Sequence, residues 1–200
     1  MAFRLRSCRV MNRKIRSAVR LGIVCLALSV SAAHAQNLSE ADKQTVATFE
    51  KRVKEYLKLR NDIKSKLPVK LSKDSTPEQI HAYMTSFEDA VRAARTGAKR
   101  GELFVPEVAT YIRTVLREDF SRRDKVELRK TILHAETQGV PVKVNYPYPE
   151  EKEFVEMPPT LLLKLPQLPQ EMRYRFVGPN LLLVDRENNL IVDYMTNALP

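Results

Sequence analysis

Beyond residue 38 the apolar positions return every three or four residues as far as about residue 139, and then the rhythm changes. Val46, Phe49, Val53, Tyr56, Ile63 and Leu67 share one stripe and predict a first helix over about Ser39 to Ser65. Ser39 can cap its start, Glu40 and Asp42 suit the positive end of its dipole, and Pro68 ends it. Arg60 interrupts the stripe, which covers barely three heptads, so a helix lying along a small bundle is a better reading than a coiled coil. The second helix has the clearest start. Thr76, Pro77 and Gln79 spell an N-cap, a proline at N1 and a capping box, and Gly97 fits the position just past the end. Ile80, Tyr83, Met84, Phe87, Val91 and Ala94 predict its buried face. A third helix opens at Pro106 and buries Val108, Tyr111, Ile112, Val115 and Leu116. A fourth, about Arg123 to Thr137, buries Val126, Ile132 and Leu133 and stops at Gly139. The short links between them favour antiparallel packing.

From Val140 the chain turns proline-rich, with nine prolines among its last 61 residues. Residues 158 to 169, Pro-Pro-Thr-Leu-Leu-Leu-Lys-Leu-Pro-Gln-Leu-Pro, read as polyproline-like or edge-like structure, because proline cannot serve an interior ladder. Arg173 to Val177 alternates as a strand does. Gly178-Pro179-Asn180 is a turn, Leu181 to Asp185 a second strand, Arg186 to Asn189 another turn and Leu190 to Tyr194 a third strand. Such a meander is stable only with one face packed on something, and the helices are the available partner.

The reading is therefore an α+β protein. An N-terminal layer of about four helices joins a C-terminal three-strand antiparallel meander through a proline-rich strap. The expected boundaries are a signal peptide at 1–35, a helical region at 36–139, the strap at 140–171 and the meander at 172–200.

Composition changes this picture only at the N-terminus. Residues 1–35 hold seven Lys/Arg and no Asp or Glu, then an apolar run from Leu21 to Val30, then Ala33-His34-Ala35. That is the layout of a secretory signal peptide cleaved between Ala35 and Gln36. Met11 precedes a complete basic region of its own and is an alternative start. The apolar run is too short for a membrane anchor, and Gly22-Ile23-Val24-Cys25 is a poor lipidation signal. The formal charge of the whole chain is +10, but past residue 35 it falls to +3, with 27 Lys/Arg against 24 Asp/Glu. A dedicated nucleic-acid binder concentrates a larger basic excess, so nucleic acid is not an expected partner. Both cysteines, Cys8 and Cys25, precede the cleavage point. The mature chain would carry no disulfide and no thiolate chemistry.

Candidate chemistry is sparse. There is no nucleophile elbow, phosphate loop or dinucleotide fingerprint. Gly97-Ala98-Lys99-Arg100-Gly101 lacks the ending that would hold phosphate and Mg²⁺, and reads as a helix cap with a turn. His81, Thr85 and Asp89 share a helix face and read as a solvated polar face rather than a relay. His81 and His134 have no zinc-ligand spacing. Arg92, Arg95, Lys99 and Arg100 crowd the end of the second helix, either to complement its dipole or to form a small anion-binding surface. Tyr146, Tyr148 and the 158–169 segment could dock a peptide or simply pack across the helices. Glu150, Glu151, Glu153 and Glu156 lack the layout of a calcium loop. The candidate binding residues are thus Arg92, Arg95, Lys99, Arg100, Tyr146 and Tyr148. No catalytic residue, metal ligand or cofactor is expected.

Several stretches resemble an uncharacterised family of exported bacterial proteins. They are Tyr56 to Asn61, Ala98 to Phe104 with Pro106-Glu107-Val108, Asn145 to Pro149, and Leu165 to Pro169 leading to Tyr174-Arg175-Phe176-Val177-Gly178 and the closing hairpin. The resemblance covers nearly all of the mature chain and implies export and a shared fold. Residues 165–195 are also weakly similar to the C-terminal hairpin of a periplasmic nickel/cobalt-homeostasis family, without carrying any metal ligand across. The expectation is a periplasmic or secreted, non-enzymatic envelope protein that binds a protein partner or an anionic ligand. An enzyme of unrecognised type and a metal-responsive factor are the alternatives.

Overall fold

A computed structural model of the chain describes residues 38–135, 140–148 and 157–200. The signal sequence with its Ala35/Gln36 cleavage point, the expected stop at Gly139 and the acidic run from Glu150 to Glu156 lie outside the described residues. Residues Leu38–Pro200 belong to one compact unit.

The architecture is α+β. Four helices come first: α1 (Glu40–Lys66), α2 (Pro77–Ala94), α3 (Pro106–Phe120) and α4 (Val126–His134), the last entered through a 3₁₀ turn at Arg123–Lys125. A one-turn helix, α5 (Pro159–Leu162), lies in the strap. Three strands follow, β1 (Met172–Val177), β2 (Asn180–Asp185) and β3 (Ile191–Met195), in the antiparallel order β1-β2-β3.

The local signals explain most of these bounds. Ser39 caps α1 by accepting from the Asp42 amide. Thr76 and Gln79 form the reciprocal capping box of α2, at 3.3 and 2.9 Å. The β1–β2 turn has only Gly178 and Pro179 between paired residues, and Gly178 takes the positive φ of +52° that such a tight turn requires. α5 departs from the extended structure expected of residues 158–169. Pro159 at the first helical position has the right φ in advance and no amide to satisfy, so the Thr-Leu-Leu that follows can close one turn.

The sheet is buried on both faces. Phe49, Phe87, Ile112, Leu116, Tyr174, Phe176, Leu181, Leu183 and Val192 belong to the main core between helices and sheet. Within it Phe104, Phe49 and Tyr174 stack in series, with centroids 5.6 and 6.5 Å apart. The opposite face is covered by the strap: Val140 and Tyr148 pack on Val177, Leu182, Val184 and Ile191 in a second, smaller core. This double coverage explains why β2 is a continuous apolar run rather than an alternating one.

Three features of the helices differ from expectation. Ile80 and Val126 are 40% and 47% exposed and Ala94 is exposed, so the buried faces of α2 and α4 are narrower than their periodicity implies. α4 begins at Val126, because Arg123–Lys125 winds as the tighter 3₁₀ form. Gly97 is not the helix-ending residue. Arg95 caps α2, and the left-handed glycine of this loop is Gly101 at φ +86°.

Candidate functional site

Two buried aspartates on the sheet hold the helical layer. Asp185, at the end of β2, is fully buried and accepts from Tyr56 Oη (2.8 Å), Arg60 Nε (2.6 Å) and the Glu187 amide (3.0 Å). Arg60 is buried too. It donates from Nη2 to Glu187 and from Nη1 to Asn61, and its guanidinium lies 5.0 Å from the Phe87 ring centroid. Lys64 and Tyr83 complete the cluster at 2.9 Å each from Glu187. The apparent break in the α1 stripe is therefore the anchor between α1, α2 and the β2–β3 turn. Asp193, in β3, is also fully buried and accepts from the amides of Gly101 (2.8 Å), Leu103 (2.8 Å) and Phe104 (2.8 Å). It folds the loop between α2 and α3 onto the sheet.

Titration in the first cluster follows from this geometry. Burial holds the Tyr56 phenol well above its ordinary range, and the neighbouring Asp185 carboxylate adds to this. Burial and the bond to Glu187 push Tyr83 up to about 12. Burial alone would raise the Glu187 carboxyl, but Lys64, Tyr83 and Arg60 outweigh it and lower the carboxyl below its ordinary value. A depressed carboxyl stabilises the fold above the unfolded carboxylate range, and that contribution disappears as pH falls toward the folded value. A raised phenol stabilises the fold below about pH 10, and its contribution disappears as pH climbs toward about 12. We therefore expect Tm to decline on both limbs, and Glu187→Gln to flatten the acid limb. Thermal unfolding of wild type and variant across pH checks this; superimposable profiles would contradict it.

The structure divides the basic cluster expected at the end of α2. Arg92 is exposed and pairs with Glu88 one turn earlier. Lys99 and Arg100 are exposed, and Arg100 sits 5.7 Å from the Tyr194 ring centroid and 3.3 Å from Thr196 Oγ1. Arg95 departs from that surface. It is buried over the Tyr56 ring and donates to Asn145 Oδ1 (2.9 Å), the Val192 carbonyl (3.1 Å) and Glu102 (3.3 Å). Three acceptors and an aromatic face make it a structural strut rather than an anion receptor. The tyrosine pair divides as well. Tyr146 is 41% exposed with Lys143 Nζ 4.9 Å from its ring centroid. Tyr148 is buried in the second core with its amide 2.7 Å from the Asn189 carbonyl, so it cannot line a docking strip. His81, Thr85 and Asp89 are all exposed, as a solvated face requires, and His134 is exposed. Among the described residues no three His, Cys, Asp or Glu side chains gather closely enough to hold a metal ion.

A site that includes the 158–169 segment, but whose arginines the residue patterns did not mark, lies between the strap and the edge strand β1. A cavity of about 440 Å³ is lined there by Arg173, Arg175 and Arg186, with Gln167 and Tyr174, and by Met157, Pro159, Leu162, Pro166, Leu168 and Met172. Its size falls within the range of small-ligand pockets. Tyr174 Oη donates to the Pro166 carbonyl at 2.9 Å and holds the strap beside the strand. The Arg186 amide bonds the Glu171 carbonyl at 2.8 Å, which fixes the third arginine near the entry to β1. Arg173 also bonds Asn189. Guanidinium groups present donors in a rigid fork suited to carboxylate and phosphate. Arg173 and Arg175 lie two apart on a strand, which was the one signal available in the sequence. Among the described residues that line the cavity there is no nucleophile paired with a base and no cluster of carboxylates.

No family model, no curated protein and no solved structure matches this chain. Among the described residues no helix is long and apolar enough to cross a membrane.

Proposed function

We propose that this is an exported, non-enzymatic envelope protein that binds a small anionic ligand between its proline-rich strap and β1. One observation carries the reading: three arginines and an apolar wall line a single cavity of ligand size. Export is supported by the signal-peptide layout of residues 1–35 and by the resemblance to exported bacterial proteins. The histidines that an unrecognised enzyme would most readily use are exposed.

A ligand that binds only the folded state raises its stability by RT ln(1 + [L]/Kd), about 2.7 kcal/mol at a hundredfold excess over Kd. Thermal unfolding with carboxylates, phosphates and sulfonates, each set against a neutral analogue, tests the reading. The expected result is a rise in Tm with at least one anion, reduced in Arg186→Glu. Arg186 is exposed, so that change leaves the fold intact. No rise with any anion, or an equal rise with the neutral analogues, would overturn the proposal.

A second reading is favoured by one observation. Exposed Tyr146 follows Asn145, which is bonded to Arg95 at the end of α2, so an exposed aromatic emerges next to a residue tied to that helix end. Aromatic and arginine side chains are the common anchors of protein interfaces. A partner captured from the envelope and lost on Arg100→Glu with Tyr146→Ala would favour this surface over the cavity.

A further inference from the structure

We infer that a second cavity, where α1 meets the end of α2 and the loop leading to α3, binds a small zwitterion: an α-amino acid with an apolar side chain. Its volume is about 290 Å³, near the lower end of the small-ligand range and better suited to one amino acid than to a peptide. Two guanidiniums and two carboxylates line it, those of Arg52, Arg95, Glu55 and Glu102. The lining is therefore neutral overall. A net cation or a net anion gains less there than a molecule carrying one charge of each sign.

The four charges are not equivalent. Arg95 and Glu102 hold each other at 3.3 Å, Glu102 Oε1 also accepts from the Lys99 amide at 2.8 Å, and buried Arg95 has Asn145 and the Val192 carbonyl as further acceptors. These two belong to the wall. Arg52 is half-buried and Glu55 exposed, and they lie three apart on α1, a spacing at which opposite charges commonly pair. Among the described residues neither forms an ion pair, with the other or elsewhere. Arg52 instead donates from Nη1 to the Glu102 carbonyl at 2.8 Å, which sets its fork against the loop with other donors left for a carboxylate. The Asp193 bonds to the Gly101, Leu103 and Phe104 amides hold that loop in place. Exposed Leu59, with buried Tyr56 and Leu103, adds apolar surface to the same cavity. A carboxylate on Arg52, an ammonium on Glu55 and an apolar side chain against Leu59 use the groups that the fold leaves unengaged.

The test compares four probes on the purified chain by calorimetry: L-leucine, isocaproate, which lacks the ammonium, isoamylamine, which lacks the carboxylate, and glycine, which lacks the side chain. Leucine is expected to bind about tenfold or more tightly than each of the others, the factor that one charge-assisted hydrogen bond supplies. Arg52→Gln should bring leucine to the affinity of isoamylamine, and Glu55→Gln to that of isocaproate. Neither side chain is buried, so both variants fold, and an unchanged Tm confirms it. Equal affinity of leucine and either single-charge analogue would overturn the zwitterion. Glycine binding as tightly as leucine would overturn the apolar side chain. No binding of leucine, or unchanged leucine affinity in both variants, would overturn the site. Arg186→Glu should leave leucine binding untouched, so this site and the strap cavity stand or fall separately; loss of leucine binding in that variant would move the ligand to the strap cavity and overturn the inference.

Discussion

Asp185→Ala is expected to destabilise the protein by about 3–5 kcal/mol, because removing one member of a buried charge pair leaves the other uncompensated. The residue left behind is Arg60, which is 2% exposed. It would keep Glu187 and Asn61 but lose the 2.6 Å bond to the Asp185 carboxylate. Tyr56 Oη and the Glu187 amide would lose their acceptor in the same step. For a domain of this size each kcal/mol moves Tm by about 2–4 °C, so a fall on the order of 10 °C is expected. Tyr56→Phe removes one donor and leaves the ion pair, and should cost only about 1 kcal/mol. Arg60→Met combined with Asp185→Leu replaces the pair by apolar groups of similar bulk, and should recover most of the loss. Urea unfolding followed by circular dichroism measures all three. A cost below about 1 kcal/mol for Asp185→Ala would show that Arg60 finds another partner.

Asp193→Ala is the second large effect, and it acts on backbone rather than on a cation. The carboxylate accepts from the amides of Gly101, Leu103 and Phe104, and the Leu103 and Phe104 side chains are buried in the main core. Each buried amide left without an acceptor costs about 1–3 kcal/mol. The three share one oxygen pair and relax together, so a total of about 3–4 kcal/mol is expected rather than their full sum. Asp193→Asn retains one acceptor oxygen and should cost about half as much. Hydrogen exchange at residues 101, 103 and 104 distinguishes this from general destabilisation. These amides should lose protection in Asp193→Ala beyond the global change, while those of α1 should not.

The fold was legible where the deciding residues lie close together in the chain. Thr76, Pro77 and Gln79 announce α2 within four residues, and its capping box is present at hydrogen-bonding distance. The alternation of β1 and the turn at Gly178-Pro179 give the hairpin its register. What stayed hidden depends on distant partners. Arg60 reads as a flaw in the α1 stripe because its anchor, Asp185, lies 125 residues away. Arg95 reads as one more cation at a helix end because its partners, Asn145 and the Val192 carbonyl, are 50 and 97 residues on. Tyr148 reads as a docking aromatic because nothing local shows that the second face of the sheet needs covering. The cavity was the least visible feature. Arg173 and Arg175 look like the solvent side of a half-buried strand until the strap is laid beside them.

The claim that this cavity recognises an anion is tested most directly by nuclear magnetic resonance of the arginine Nε–Hε groups during titration with inorganic phosphate and acetate. Saturable shifts at Arg173, Arg175 and Arg186 with at least one of them are the predicted result, with Arg92 and Arg100 unmoved. Saturable shifts confined to Arg92 and Arg100 at the end of α2, or no saturable shift at any arginine, would contradict it.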